Sequence, residues 1–296
     1  MAVVPVHNGR DQTLRCLRSL AAGTLPPRVI VVDHGSTDGT AAAVTSEFPD
    51  VVVLAGDGNL WWAGATNLGV GHALAMGADA VLTMNNDNVV DREAVKALVA
   101  CATESAPAVV GSILLDLARP DMIMCAGGTF DWHAGGPVCL GQMEIDRGQY
   151  ADRHDAEWLP GNSVLVPRAC FEAVGLYDAR RLPHSWADAD LCLRAAAAGW
   201  RIMCDGASRV WNDRSTTSAG VAGDASWKET GFLLTSNRSL YRLRPAVRFY
   251  LRHCPPRQLP AALARFYHPV LRAVVIHRLS PRTRSAARRV RAVLRR

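Results

Sequence analysis

Lysine is almost missing from this chain. Of 33 basic residues only Lys96 and Lys228 are lysines, so arginine carries the net charge of +6. That charge is uneven: residues 278–296 hold eight arginines and no acid, leaving a near-neutral body with a basic end. No two of the eight cysteines form a Cys-x-x-Cys pair, and most sit in apolar runs, so buried free thiols in a reducing compartment are expected. No run of about 18 uncharged apolar residues is present, and no secretory leader precedes the first apolar segment. A cytoplasmic protein is expected, with room for a place on the inner membrane surface. The abrupt start in a strand leaves open a longer native N-terminus. Neither Gly-x-Gly-x-x-Gly nor Gly-x-x-x-x-Gly-Lys-Ser/Thr occurs, which removes support for dinucleotide-binding and Walker-type readings. The apolar fraction of 49% excludes general disorder. A length of 296 residues suits one large α/β domain with an appendage, or two small domains.

What is present is organised around Met84–Asp91, MNNDNVVD. An apolar run at Ala78–Thr83 predicts a buried strand before it. Asp91–Ala102 predicts a helix after it, with Asp91 as N-cap. Asn and Asp are poor strand formers but good turn and ligand residues. The carboxyl end of a strand in an open α/β sheet is where ligands bind. A carboxylate there, among amides, suits a hard divalent cation carrying a diphosphate. A polar turn capping the next helix is the plain alternative. Upstream, strands are predicted at Ala2–Val6, Val29–Val32 and Val51–Ala55. Helices are predicted at Asp11–Ala22, Thr40–Phe48 and Ala65–Met76. This alternation predicts a mostly parallel sheet with helices on both faces.

In VVDHGSTDGT, Asp33 ends a strand. The glycines free the backbone to approach a ligand, and Ser36, Thr37 and Asp38 supply turn and cap hydrogen bonds. A carboxylate there can accept the imide N–H of uracil or thymine. Asp33 is read as functional and Asp38 as structural. In GNLWWAGATNLG (Gly58–Gly69), one of Trp61 and Trp62 can stack on a base or sugar while the other packs under the loop. The sequence does not say which. Asn67 can bridge hydroxyls and phosphate.

Val4-Pro5-Val6-His7-Asn8, then VVDHGSTDGT, then GNLWWAGATNLG, then MNNDN, stand in the order and spacing of family 2 glycosyltransferases. The chain resembles their rhamnosyltransferase-like branch. The resemblance implies an inverting enzyme with a GT-A nucleotide-sugar-binding domain. It places Asp33 on the base, and Asn86 and Asp87 at the metal and ribose motif, with Asp87 as metal carboxylate. The expected donor-binding set is Pro5, His7, Asn8, Asp33, Ser36, Trp62, Asn67, Asn86 and Asp87. Asn in place of a second Asp implies weaker, diphosphate-dependent binding of Mg²⁺ or Mn²⁺.

Further strands are predicted at Ala108–Leu115, Met122–Trp132, Pro137–Met143 and Val164–Arg168, with a polar loop at Gly141–Asp155 over the site. The resemblance implies that Trp158, Gly161 and Asn162 lie under the transferred sugar and acceptor; a hairpin entry is the plain alternative. Asp188 and Asp190 open a helix that Gly199 ends, and capping needs only one of them. Inverting transfer needs a general base for the acceptor hydroxyl. The resemblance assigns that role to Asp188, in a Glu-Asp-x-Asp motif whose Glu is Ala187 here. His184 and Trp186 are expected at the acceptor, and Asp190 is expected either to orient the helix or to bind acceptor. A short strand pair, Trp200–Cys204 and Ser208–Trp211, ends at Asn212-Asp213, where many relatives carry a metal-binding His. Asn212 or Asp213 is the expected substitute ligand.

After about residue 225 the pattern becomes helical: Lys228–Leu243, Ala246–His253 and Leu259–Arg278. The expected division is a catalytic domain over 1–225 and a helical, Arg-rich extension over 226–296. The Arg-rich end suits an anionic membrane surface, where a polyprenyl-diphosphate-linked acceptor would be found. No nucleic-acid-binding motif accompanies it, so no nucleic-acid partner is expected. The leading expectation is sugar transfer from a dTDP- or UDP-linked donor, dTDP-L-rhamnose among them, to a glycan, lipid-linked or small-molecule hydroxyl. A nucleotidyltransferase is the second reading, weakened by the missing Gly-rich loop in residues 5–15. A non-catalytic nucleotide-sugar-binding subunit is the third. The sequence leaves the oligomeric state open.

Overall fold

Valine and isoleucine crowd the first strands, and their alternation sets the layers. The computed structural model describes residues 1–216 and 226–278, with the side chains of all but 216 and 276–278. In β1 (Ala2–Val6), Val4 and Val6 join one apolar cluster with Cys16, Leu17 and Leu20 of α1 (Arg10–Ala21). Val31 of β2 (Val29–Asp33) and Val44 of α2 (Thr40–Glu47) belong to the same cluster. Val3 and Val32 point the other way, as period-2 alternation requires. They meet Gly69 of α3 (Trp61–Ala75), where a Cβ would lie 2.4 Å from Val3 and 2.9 Å from Val32. Helices therefore cover both faces.

The remaining strands and helices up to residue 212 are β3 (Val52–Ala55), β4 (Ala80–Met84), β5 (Asn88–Val90), α4 (Ala94–Glu104), β6 (Ala108–Asp116), β7 (Arg119–Cys125), β8 (Gly128–Asp131), β9 (Gly136–Cys139), β10 (His154–Asp155), β11 (Ser163–Pro167), α5 (Arg168–Val174), α6 (Ala187–Ala197) and β12 (Arg201–Asn212). The sheet order is β10-β12-β6-β11-β4-β1-β2-β3, with β5 on β12 and β7 on β6. β3, β2, β1 and β4 run parallel, as do β6 and β12. β11 runs antiparallel to both β4 and β6 and joins the two parallel groups. β8 and β9 form a separate two-stranded sheet.

Several expectations need correcting. α4 starts at Ala94, not at Asp91. Asp91 instead accepts from the Glu93 amide in a turn, because Asn88–Val90 is drawn into a strand against β12. The expected last strand pair is one bulged strand, β12. Its register shifts between Asp205 and Arg209, around Gly206, whose Cβ would lie 2.0 Å from the Tyr150 carbonyl. The loop at Gly141–Asp155 is tied to β7 and β12: the Ile123 amide donates to Glu144, Arg209 pairs with Asp146, and His154–Asp155 pairs with Met203–Cys204.

Chain contacts divide the molecule into two units. One is Met1–Phe130 with Val138–Thr216; the other joins Asp131–Pro137 to the described residues from 226 onward. The second contains α7 (Trp227–Thr235), α8 (Leu243–His253) and α9 (Leu259–Arg278). A Ser226/Glu229 capping box starts α7. The single helix expected over Lys228–Leu243 stops at Thr235. There the hydroxyls of Ser236 and Ser239 accept from the amides of Arg238 and Tyr241 and turn the chain. Trp132 packs on Phe249 and Tyr250, and the Tyr250 hydroxyl donates to the Gly135 carbonyl.

Candidate active site

The β1–α1 and β2–α2 turns fold onto each other. Gly9 begins α1 at φ 92 without a side-chain cap of its own. Asp38 supplies one: its Oδ2 accepts from the Gly9 amide at 2.8 Å and the Arg10 amide at 3.0 Å, while Oδ1 takes the Thr40 hydroxyl at 2.5 Å. Partial desolvation opposes these bonds, yet they hold the Asp38 carboxyl at about 2. Asn8, at φ 61, receives the Thr37 amide on its side chain and gives its own amide to the Ser36 hydroxyl. Asp33 is 7% exposed and accepts the Ser36 amide at 2.8 Å. His7 and His34 stack with centroids 5.1 Å apart above this turn.

Asp87 follows the end of β4. β5 pairing places Asn88 opposite Asn212, so the Asn212 amide nitrogen donates to Asp87 at 2.7 Å and to Asn88 at 2.9 Å. Burial is the main influence on Asp87 and pushes its carboxyl up to about 6. The Asn212 bond and Arg15 pull it down, and Asp213 pushes it further up. Asp213 itself is paired with Arg15 at 2.5 Å and bonded by Gln12 and Ser215. Its own carboxyl lies below the usual range, first through the Ser215 hydroxyl. Asn86 donates to Thr13 at 3.1 Å. A cavity of about 440 Å³ opens beside this cluster, between Gly9–Gln12, Asp38, Asp213 and Ser215.

Asp188 stands in the first turn of α6. Trp186, at φ 75 and 4% exposed, turns the chain into the helix. The Asp188 carboxylate accepts from the Gly161 amide at 3.0 Å and the Ala189 amide at 2.9 Å. Burial raises its carboxyl, and those amides partly offset the rise. A Cβ on Gly161 would lie 2.5 Å from Trp62 and 3.4 Å from the Asp188 Cβ, so only glycine lets these groups close up. The Asn162 carbonyl accepts from Asn85 and Asn88, tying the entry of β11 to the end of β4.

The strand order gathers the three acids. Asp33 ends β2, Asp87 follows β4, and Asp188 is held at the entry of β11, which runs against β4. All three lie along one edge of the sheet. Two strand spacings, about 10 Å, separate the ends of β2 and β4.

Several expected ligand residues have structural partners instead. Pro5 is buried within β1. The Asn67 side chain donates through its nitrogen to the Tyr177 carbonyl at 2.8 Å and accepts the Tyr177 amide on its oxygen at 3.1 Å. Trp62 is the tryptophan packed beneath the loop: its indole donates to Asn85 and it edges Tyr177, whereas Trp61 edges His184. Trp158 donates to the Thr129 carbonyl and lies against Phe130. Trp186 is buried as the turn residue. Asp190 is 0% exposed and pairs with Arg194 at 2.8 Å, so an acceptor cannot reach it. His7, Asn8, Ser36, Asn86, Gly161 and Asn162 remain along the edge with the three acids. Arg15, Thr13 and Asn85 also belong to this network. Their partners lie 198, 73 and 23 residues away, a relation no local pattern carries.

A divalent cation fits only part of the expected ligand set. Asp87, raised by burial and facing a second carboxylate, has the electrostatics of a group that a cation would relieve. Asn212 turns its N–H₂ toward Asp87, an orientation assigned from the hydrogen-bond network, and Asp213 is neutralised by Arg15. Neither suits the role of ligand as placed. No group of three or more His, Cys, Asp or Glu suited to a metal occurs among the described residues.

Residues 1–117 match the family model described as glycosyl transferase family 2. Among curated proteins, the Mycobacterium tuberculosis protein Rv1525 is 31% identical over 149 residues, 49% of this chain and 50% of its own. An N-acetylglucosaminyl-diphospho-decaprenol L-rhamnosyltransferase of M. tuberculosis is 28% identical over 213 residues, 63% of this chain and 66% of its own. Galactofuranosyltransferase GlfT1 of the same organism is 34% identical over 123 residues, 40% of each. The chain thus spans between two fifths and two thirds of the curated relatives it matches. Among solved structures, GalNAc-T7 with UDP, GalNAc and Mn²⁺ aligns at TM-score 0.60 and 14% identity, over 72% of this chain and 43% of its own. The mannosyltransferase PcManGT of Pyrobaculum calidifontis, in complex with GDP-Man and Mn²⁺, aligns at 0.55 and 16%, over 99% and 79%. The fold is that of the GT-A glycosyltransferases, with C-terminal helices.

Proposed function

Because residues 1–117 match the family model of glycosyl transferase family 2, we propose that the chain transfers a sugar from a nucleotide diphosphate donor to an acceptor hydroxyl with inversion. The observation that carries this is the gathering of Asp33, Asp87 and Asp188 at one sheet edge. Asp33 faces the base, beside the Asn8–Ser36 turn. Asn86 and Asp87 lie where the ribose and diphosphate would be. Asp87 would hold Mg²⁺ or Mn²⁺, and such an ion, when bound, offsets charge on the leaving diphosphate.

Asp188 is the general base. Burial raises its proton affinity, and two backbone amides fix its direction. It takes the proton of the acceptor hydroxyl as that oxygen attacks the anomeric carbon opposite the diphosphate. Gly161 and Asn162 line the place of the transferred sugar. A dTDP- or UDP-linked donor, dTDP-L-rhamnose in particular, and a lipid-linked acceptor are the favoured substrates, supported by the likeness to the mycobacterial rhamnosyltransferase.

The division of labour is tested by two variants. Asp188→Asn is expected to bind nucleotide and Mn²⁺ as the wild type does, with transfer reduced by about 10²–10⁴-fold. Asp87→Ala is expected to lose metal-dependent nucleotide binding in calorimetry. Near-normal turnover by Asp188→Asn would remove the base assignment.

A further inference from the structure

The chain from 226 to 278 is unusually one-sided in charge. It holds Lys228 and nine arginines but a single acid, Glu229. It also supplies seven of the thirteen large apolar side chains exposed among the described residues, from Trp227 to Val275. This stretch is separate from the Arg-rich end at 279–296, which lies outside the described residues.

α8 shows how the two features combine. Its Ala246, Phe249 and Tyr250 are buried. On the outer half, Leu243, Val247 and Leu251 repeat every four residues, with Leu243 50% and Leu251 63% exposed. One position on, Arg244, Arg248 and Arg252 repeat at the same spacing, and all three are exposed. Four-residue spacing aligns each set into a ridge along the helix. The exposed side is therefore an apolar ridge beside a guanidinium ridge, with no acid anywhere on α8. α9 repeats the arrangement, with exposed Leu271 and Val275 next to His268 and Arg272.

We infer that the outer face of α8, continued by α9, docks on an anionic phospholipid surface. The apolar ridge enters the boundary between headgroups and acyl chains, and the arginine ridge meets the phosphates. No helix among the described residues is long and apolar enough to cross a membrane, so the contact is peripheral. A second copy of the chain fits poorly, because pairing two such faces would bring guanidinium ridges together. A nucleic acid would engage the arginines but leave Leu243 and Leu251 in water. This inference does not depend on the reaction proposed above.

The test is co-sedimentation of the full chain with vesicles of phosphatidylcholine alone and with 30% phosphatidylglycerol, without any substrate. Binding is expected only to the anionic vesicles. Arg244→Gln/Arg248→Gln should weaken it about 30-fold, at about fivefold per basic residue near the surface. Leu243→Ser/Leu251→Ser should weaken it as well, with the salt dependence retained. These positions are exposed, so unchanged thermal unfolding checks that both variants fold. Wild-type binding by both variants, or equal binding to neutral vesicles, overturns the inference. So does a Leu243→Ser/Leu251→Ser variant that turns a dimer into a monomer in light scattering while its vesicle binding is unchanged.

Discussion

Asp87 is held in a conflict that its neighbours only partly relieve. Burial and Asp213 raise its carboxyl to about 6, while Asn212 and Arg15 act against them. A carboxyl raised by folding keeps its proton to higher pH than in the unfolded chain. The fold therefore loses stability as pH rises from roughly 4 to 6, and the cost persists above that window. Asp87→Asn should remove this slope. In the metal-free protein it should stabilise by about 1–2 kcal/mol at pH 8 and by much less at pH 4, read from urea unfolding. Equal gains at both pH values would show that the carboxylate charge is not the cause. The place of Asp87 at a strand end was legible in MNNDN. Its grip by Asn212 was not, since the two lie 125 residues apart and meet only through the β5–β12 pairing.

At the scale of elements, the carboxylate proposed as base depends on a contact between a strand entry and a helix start. The Gly161 amide holds Asp188, and the Trp62 ring fills the space where a side chain would be. Gly161→Ala should push the β11 entry away from α6 and misplace the carboxylate. A shift of about 1 Å can cost about 10²-fold in turnover, so kcat should fall to that extent while nucleotide binding holds. Unchanged kcat would show that Asp188 does not need this support. The helix start was legible from two acids before an alanine run. The buried Trp186 turn was not, because a left-handed tryptophan has no sequence signature.

For the molecule as a whole, a ligand that binds only the folded state raises its stability. UDP or dTDP with Mn²⁺, at about a hundred times the dissociation constant, should add about 2.7 kcal/mol. For a unit of this size that is a rise in Tm of about 5–10 °C. Chelation should cancel most of it. A shift that is the same with and without Mn²⁺ would remove the metal from donor binding.

Alternating β-branched strands and helical stripes, short connections and strand-ending acids were all readable along the chain, because each depends on neighbours a few residues apart. The parallel arrangement of the first four strands followed from that local order. What only the folded chain decided was which polar groups are available. Asn67 closes on Tyr177, Asp190 on Arg194 and Asn212 on Asp87, and each choice removes a candidate ligand. The strand order decided it: reversed β11 and bulged β12 bring distant segments to one edge, and a buried polar side chain takes whichever partner that approach supplies.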